Sequence, residues 1–187
     1  MNVAFRKPMS PEEFLAWERE QDLRWEFDGI RPVAMTGDTS AHNMICGNLI
    51  AALLNRLRGN PCRPYSQGMK LRIGAKYRYP DAFVTCVPVA NDDDLSADPL
   101  LIFEALSKST ERTDRTTKLM EYRTIGTLRR YILLEQDQAM LTTYTRAENG
   151  WVVDQLSADD ALHLPEIGID IPVMELYADL VLPKPDD

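Results

Sequence analysis

Apolar positions recur along this chain in two periods, and the alternation between them marks out its elements. Ser10-Pro11-Glu12-Glu13 has the form of a capping box, with Ser10 as N-cap, proline in the first turn and Glu13 reaching back. Phe14, Leu15 and Trp17 supply the apolar face of the helix it opens, which should end near Asp22. From Arg24 to Met35 the period drops to two, and Asp28-Gly29 in the middle predicts a hairpin. Trp25 and Phe27 then share one face and Glu26 the other. Ile45, Leu49, Ala52, Leu53 and Leu57 return to helical spacing, behind a Thr39 or Ser40 cap, and Gly59-Asn60-Pro61 stops that helix.

Strands follow around Arg63–Gln67, at Met69–Ile73 with one wet face, and at Tyr79–Val87, a nearly continuous apolar run expected at the centre of a sheet. An acidic loop, Asn91–Asp98, leads to a second such run, Leu100–Leu106. Ser109 or Thr110 caps a helix from about Glu111 to Ile125, with Lys118 and Tyr122 on one face and Arg115 a turn earlier. Strands are expected at Arg129–Leu134, Leu141–Arg146 and Trp151–Leu156. An apolar stretch, Leu162–Ile171, then precedes a short helix near Val173–Leu180 and a frayed end from Pro183. The order predicts a single α/β (α+β) domain over residues 1–187, core about 9–180, with a mixed central sheet flanked by helices.

Composition narrows the class only a little. No apolar run approaches the roughly 20 residues needed to span a bilayer, and Met1–Lys7 lacks the apolar core of a signal peptide, so a cytoplasmic chain is expected. Cys46, Cys62 and Cys86 are odd in number and form no C-x-x-C pair, which fits reduced thiols. The net charge of −8 speaks against nucleic acid until its distribution is considered. Thr39–Pro80 holds seven basic residues and no acid, and Glu104–Arg130 holds seven bases against four acids. Such belts either steer a polyanion to one face or simply solvate two elements.

Chemistry concentrates between Tyr79 and Lys118. Asp81 enters one apolar strand directly after Pro80, where it is either a turn residue or an acid at the mouth of a buried strand. Glu104 lies within Leu100–Leu106, where it needs either an arginine partner or a metal. Two carboxylates from neighbouring strands can hold Mg²⁺ through oxygen, and a lysine nearby can orient a water or polarise a phosphate. Lys118 suits that part, though a helix lysine is also an ordinary solvated residue. Glu26 and His42 each read equally as site members or as surface residues, His42 with Asp38 as a local partner. His163 between Leu162 and Leu164 reads as a local hydrogen-bonding residue.

The ordered set Trp25-Glu26-Phe27-Asp28-Gly29, Ser40-Ala41-His42, Tyr79-Pro80-Asp81, Phe103-Glu104-Ala105-Leu106-Ser107-Lys108-Ser109-Thr110 and Lys118-x-x-x-Tyr122, with Gly126 and Tyr131, resembles the Uma-type putative restriction endonuclease family of the PD-(D/E)XK superfamily. The likeness runs from about Met9 to Leu180. It implies a restriction-endonuclease-like core and a metal-dependent endonuclease that hydrolyses DNA phosphodiester bonds with a metal-activated water. Asp81, Glu104 and Glu26 would be metal ligands for Mg²⁺ or Mn²⁺, with His42 and Lys118 beside them. The superfamily lysine stands two residues after the second acid, where this chain has Leu106; members of this family take it from the following helix, as Lys118 would be. Lys108 departs from the proline usual there. Lys70, Arg72, Lys108, Arg115 and Tyr122 are candidate nucleic-acid contacts. DNA and a second copy of the chain are the expected partners, the latter by analogy alone; no membrane and no organic cofactor are implied. The competing readings are a catalytically silent nucleic-acid-binding or protein-interaction module, and an enzyme on a small phosphorylated substrate. Leu162–Leu182 is either a dimer interface or a cap on the chain's own core.

Overall fold

Ser10 caps α1 (Pro11–Glu18) with the reciprocal bonds of a capping box, accepting from the Glu13 N–H while Glu13 accepts from Ser10. The helix is shorter than its pattern suggested, ending four residues before Asp22. This computed structural model describes residues 8–35, 37 and 39–183; Asp38 and the expected frayed end from Lys184 onward lie outside them.

The hairpin forms as β1 (Trp25–Phe27) and β2 (Pro32–Ala34), but Phe27 pairs with Pro32, so a four-residue loop replaces the tight Asp-Gly turn. Asp28 closes that loop by accepting from the Ile30 and Arg31 N–H groups. Thr39 caps α2 (Ser40–Leu57). There follow β3 (Arg63–Ser66), β4 (Lys70–Ile73), β5 (Lys76–Arg78) and β6 (Ala82–Thr85), then β7 (Leu95–Ser96) inside the acidic loop and β8 (Leu101–Ala105). After β8 come α3 (Glu111–Thr113), a π-helical turn (Asp114–Lys118) and α4 (Leu119–Tyr122) as one continuous rod. Strands β9 (Arg130–Leu134), β10 (Leu141–Ala147), β11 (Gly150–Leu156), β12 (Ala161–Leu164) and β13 (Ile169–Pro172) and helix α5 (Val173–Leu176) complete the chain.

The main sheet has the order β11-β10-β9-β8-β6-β3, mixed because β8 and β9 are parallel. A parallel pair needs a crossover, and the rod from Glu111 to Tyr122 is that crossover. It therefore returns over the face of β8. Alternation divides the central strands: Leu101, Phe103 and Ala105 join Ile45, Leu49 and Leu53 of α2 on one face. Ile102 and Leu106 join Leu119 and Tyr122 on the other. Glu104 has the parity of the second face. The smaller sheet, β2-β1-β5-β4-β7, contributes Leu71 and Ile73 to that same side and is held to α1 by stacked Phe14, Phe27 and Tyr77. Leu162, Leu164, Ile171 and Leu176 pack in the core with α2, so the C-terminal apolar stretch caps the chain's own interior.

Two expectations are corrected. The wet face expected for β4 is not wet at Lys70, which is buried between Glu18 (2.8 Å) and Asp94 (3.0 Å) because α1 covers it. The three thiols are not all reduced. Arg63 pairs with Thr85, so Cys62 and Cys86 face each other one step further along the ladder and form a disulfide, which leaves Cys46 as a thiol outside it. Thiol titration of the denatured, unreduced chain should find one thiol; three would refute the bond. Closing a loop of sequence separation 24 stabilises by about 3 kcal/mol, the loss expected for Cys86→Ser in urea denaturation.

Candidate active site

Asp81 and Glu104 meet because β6 and β8 pair antiparallel: Ala82 faces Phe103, and the next step along that ladder sets Asp81 opposite Glu104. Asp81 lies just outside its strand, after a proline that brings no N–H, and its Oδ2 accepts from the Ala105 N–H at 2.8 Å. Its Oδ1 is 3.1 Å from His42 Nε2 and 3.0 Å from the Gln67 amide nitrogen. Thr39 fixes the first turn of α2 by accepting from the His42 N–H, and Gln136 spans Thr39 Oγ1 and His42 Nδ1. One turn along α2 the buried Cys46 completes a cluster with His42 and Asp81, whose possible ligand atoms all lie within 4.8 Å of one another.

Glu104 is buried, and its Oε1 receives Lys118 Nζ at 3.0 Å and the Tyr122 hydroxyl at 2.8 Å. The π-helical turn decides which residues accompany Lys118. Asp114 shares its face, at 3.0 Å from Nζ though out of hydrogen-bond alignment, whereas Arg115 turns away to Glu111 and Glu135. Such turns, rare in helices, recur at functional sites. Glu26, expected as a third metal ligand, is engaged otherwise. Arg78 holds its Oε2 at 2.9 Å, the Tyr79 N–H donates to its Oε1, and Lys118 stands 3.7 Å from it. Arg78 in turn grips Glu121 through two nitrogens, at 2.8 and 2.9 Å, with Lys76 on the same carboxylate.

Burial pushes the Glu104 carboxyl well above the ordinary carboxylate range; Asp114, Asp81 and Glu26 push the same way, against Lys118. Burial disfavours the charge on Lys118, but Glu104, Glu26 and Asp114 outweigh it and hold that pKa well above the usual lysine value. Tyr122 is raised by burial and then by Glu104, so it stays a donor. At Glu121 burial is outweighed by Arg78 and Lys76, which hold the carboxyl low.

A cavity of about 190 Å³ opens onto Glu104, Lys118, Asp81 and Gln67, and its lining also includes Ser107, Ser109, Thr110 and Thr113 from the segment after β8 and Val33, Ala34 and Met35 from β2 and the residue after it. The five residues singled out for chemistry, Glu26, His42, Asp81, Glu104 and Lys118, all line it. The expected nucleic-acid contacts do not gather there. Lys70 and Tyr122 are buried and committed to partners, which removes them as surface contacts. Arg72 lines a separate cavity with Thr124 and Thr127, and Arg115 pairs with two acids. Lys108 is exposed between two serines of the lining. Four of the seven bases in the belt before Asp81, Arg56, Lys70, Lys76 and Arg78, hold acids, and Lys70 and Arg78 are buried. Sequence reasoning missed Cys46 and Asp114, each four residues from a named site residue and so legible at helical spacing. It also missed Gln67, Arg78 and Gln136, for which no local signal exists.

No helix among the described residues is long and apolar enough to cross a membrane. Residues 11–173 match the Uma2 family, described as putative restriction endonuclease. Two proteins of Synechocystis sp., both described as uncharacterized, are similar over most of their length: slr1290 is 31% identical across 92% of this chain and 93% of its own, and sll1609 is 28% identical across 86% and 94%. The crystal structure of a putative nuclease of Anabaena variabilis, assigned to DUF820, superposes with a TM-score of 0.76, covering 91% of this chain and 98% of that one at 15% identity. The likeness shows the restriction-endonuclease-like α+β fold, with a mixed sheet and few helices. Through the match over residues 11–173, this chain belongs to the Uma2 family of putative restriction endonucleases.

Proposed function

We propose that this chain is an endonuclease that hydrolyses DNA phosphodiester bonds with the help of a hard divalent cation, Mg²⁺ or Mn²⁺, at Asp81 and Glu104. The observation that carries the reading is a shortage of positive charge. Five carboxylates (Glu26, Asp81, Glu104, Asp114 and Glu121) surround the cavity or its supports, against three cations, Lys76, Arg78 and Lys118. A divalent cation makes good that deficit, and carboxylate oxygens are the donors a hard cation prefers. Bound there, it would supply a Lewis acid for the phosphodiester oxygens and a more acidic water.

The protein's own groups are preset for the same reaction. The Ala105 N–H and His42 orient Asp81, and Tyr122 and Lys118 fix Glu104, so neither acid reorganises as substrate arrives. Lys118 has three N–H donors; Glu104 takes one and Asp114 stands 3.0 Å from the same nitrogen, which leaves a donor for a phosphate oxygen or the attacking water. Glu26 is a positioning residue that ties Lys118 to Arg78. The cavity, about 190 Å³, is below the roughly 300–1,000 Å³ of typical small-molecule sites. It suits one phosphodiester of a polymer laid across it rather than a whole nucleotide. The lining hydroxyls and Lys108 are the nearest contacts for flanking phosphates. The reading takes residues 1–187 as one domain and pairs two copies, so that both strands are cut.

Supercoiled plasmid should be nicked in the presence of Mg²⁺ or Mn²⁺ and not in chelator. Asp81→Asn should lower the rate by about 10²–10³-fold with circular dichroism unchanged, and Lys118→Met should lower it as far while also lowering the melting temperature, because it leaves buried carboxylates unmatched. Cleavage that survives Asp81→Asn would refute the assignment, and metal-insensitive binding without cleavage would favour the silent module.

The raised Glu104 group gives a second test. Between its ordinary value of 4.5 and its folded value, the unfolded chain has released this proton and the folded chain still holds it. The Glu104 contribution therefore falls away as pH rises. The melting temperature of Glu104→Gln relative to the metal-free parent should climb with pH across that range, and Mg²⁺ should stabilise the parent more than the variant. A difference independent of pH would remove Glu104 from the charge balance.

A further inference from the structure

The half of Asp81 that faces α2 stands among donors unlike those on the Glu104 side. His42 Nε2 lies 3.1 Å from Asp81 Oδ1, and Cys46, one helical turn beyond His42, brings a sulfur to the same spot. The Gln67 amide nitrogen touches all three, at 3.1 Å from His42 Nε2, 3.0 Å from Asp81 Oδ1 and 3.9 Å from Cys46 Sγ. Imidazole nitrogen, thiol sulfur and carboxylate oxygen within 4.8 Å of one another form a donor set for a borderline-soft ion. A hard Mg²⁺ has no use for the sulfur.

We propose that His42, Cys46 and Asp81 form a second cation site, specific for a thiophilic divalent ion of the Zn²⁺ or Co²⁺ class. It adjoins the hard-cation site and shares Asp81 with it. On binding, the Cys46 thiol gives up its proton to solvent, so thiolate and carboxylate together neutralise the ion in a buried place. Gln67 closes the site. Turned about its last torsion, its amide presents the carbonyl oxygen instead of the nitrogen and becomes a fourth donor, giving the four-coordinate shell zinc prefers. The rigidity comes from α2, since the Thr39 cap fixes the turn that carries His42 and helical spacing fixes Cys46 above it. An ion so held would pin Asp81 from the side opposite the Ala105 N–H.

The site is tested on the full chain, stripped of metal and kept free of reductant so that Cys62 and Cys86 stay bonded. Titration with Co²⁺ alone should give a thiolate-to-cobalt charge-transfer band in the near ultraviolet that saturates at one ion per chain. Zn²⁺ should displace it and Mg²⁺ should not. Cys46→Ser should abolish the band and weaken Zn²⁺ binding at least about tenfold, while Glu104→Gln should leave the band in place. No band in the parent, or a band that persists in Cys46→Ser, overturns the proposal. X-ray absorption at the zinc edge of the parent needs no variant. One sulfur at about 2.3 Å supports the site, and a shell of nitrogen and oxygen only refutes it. No nucleic acid is present in these measurements. A chain that nicks plasmid without the band loses this site and keeps its nuclease reading; a band without nicking does the reverse.

Discussion

Lys118 is the cation on which the interior depends. Its ammonium group is the positive charge shared by Glu104 on β8, Glu26 on β1 and Asp114 of its own π-helical turn. Arg78 on β5 extends the same lattice to Glu121 on α4. Ions buried this way are costly to desolvate, and removing one member of such a set leaves an uncompensated charge that costs about 3–5 kcal/mol. The small sheet, the main sheet and the crossover helix are therefore bound by one condition: all three must be in place for all of the charges to be matched. Fold and site are coupled through that condition.

The condition also explains why the chemistry sits at one end of the central strands. Apolar residues fill both faces of β6 and β8 along their length, and polar groups enter only where a strand stops or another element arrives overhead. Asp81 uses the first route, just before β6 begins, where it meets both the Ala105 N–H of the neighbouring strand and the first turn of α2. Glu104 uses the second, inside β8 under the returning crossover helix. One acid is thus oriented by backbone and imidazole near the surface. The other is oriented by ammonium and phenol in the interior. Burial raises the proton affinity of Glu104.

What could be read from the sequence follows the range of each interaction. The α2 stripe, the Ser10 capping box and the two apolar runs are local, and they appear where periodicity put them. Glu104 and Asp81 were conspicuous because an acid in an apolar run is itself a local anomaly. Their partners were not. Arg78 read as one of seven bases that either steer a polyanion or solvate an element, and only the docking of β1 and α4 on either side turns it into the bridge between Glu26 and Glu121. Lys70 misled for the same reason, its wet face being covered by α1. Gln67 and Gln136 carry no local mark at all, since they reach the site from the ends of β3 and β9. The Cys62–Cys86 bond needed the register of β3 on β6, which no composition argument provides.

The origin of the lysine follows from packing. In the superfamily pattern it would stand two residues after Glu104, at Leu106, where strand parity points the side chain to the same face. Here Leu106 is buried with Ile102, Leu119 and Tyr122, so an ammonium group there would sit in an apolar cluster. The crossover helix reaches Glu104 from above instead, and its π-helical turn brings Asp114 and Lys118 to bear together. That arrangement makes the site's positive charge conditional on the docking of α4. Tyr122 secures the docking, wedged edge-on against Tyr131 while its hydroxyl holds the same Glu104 oxygen as Lys118. A lysine on the strand would be present whenever the sheet formed. A lysine on the helix is present only when helix, sheet and Glu104 are assembled, so anything that loosens α4 withdraws the charge from the site before it unfolds the core.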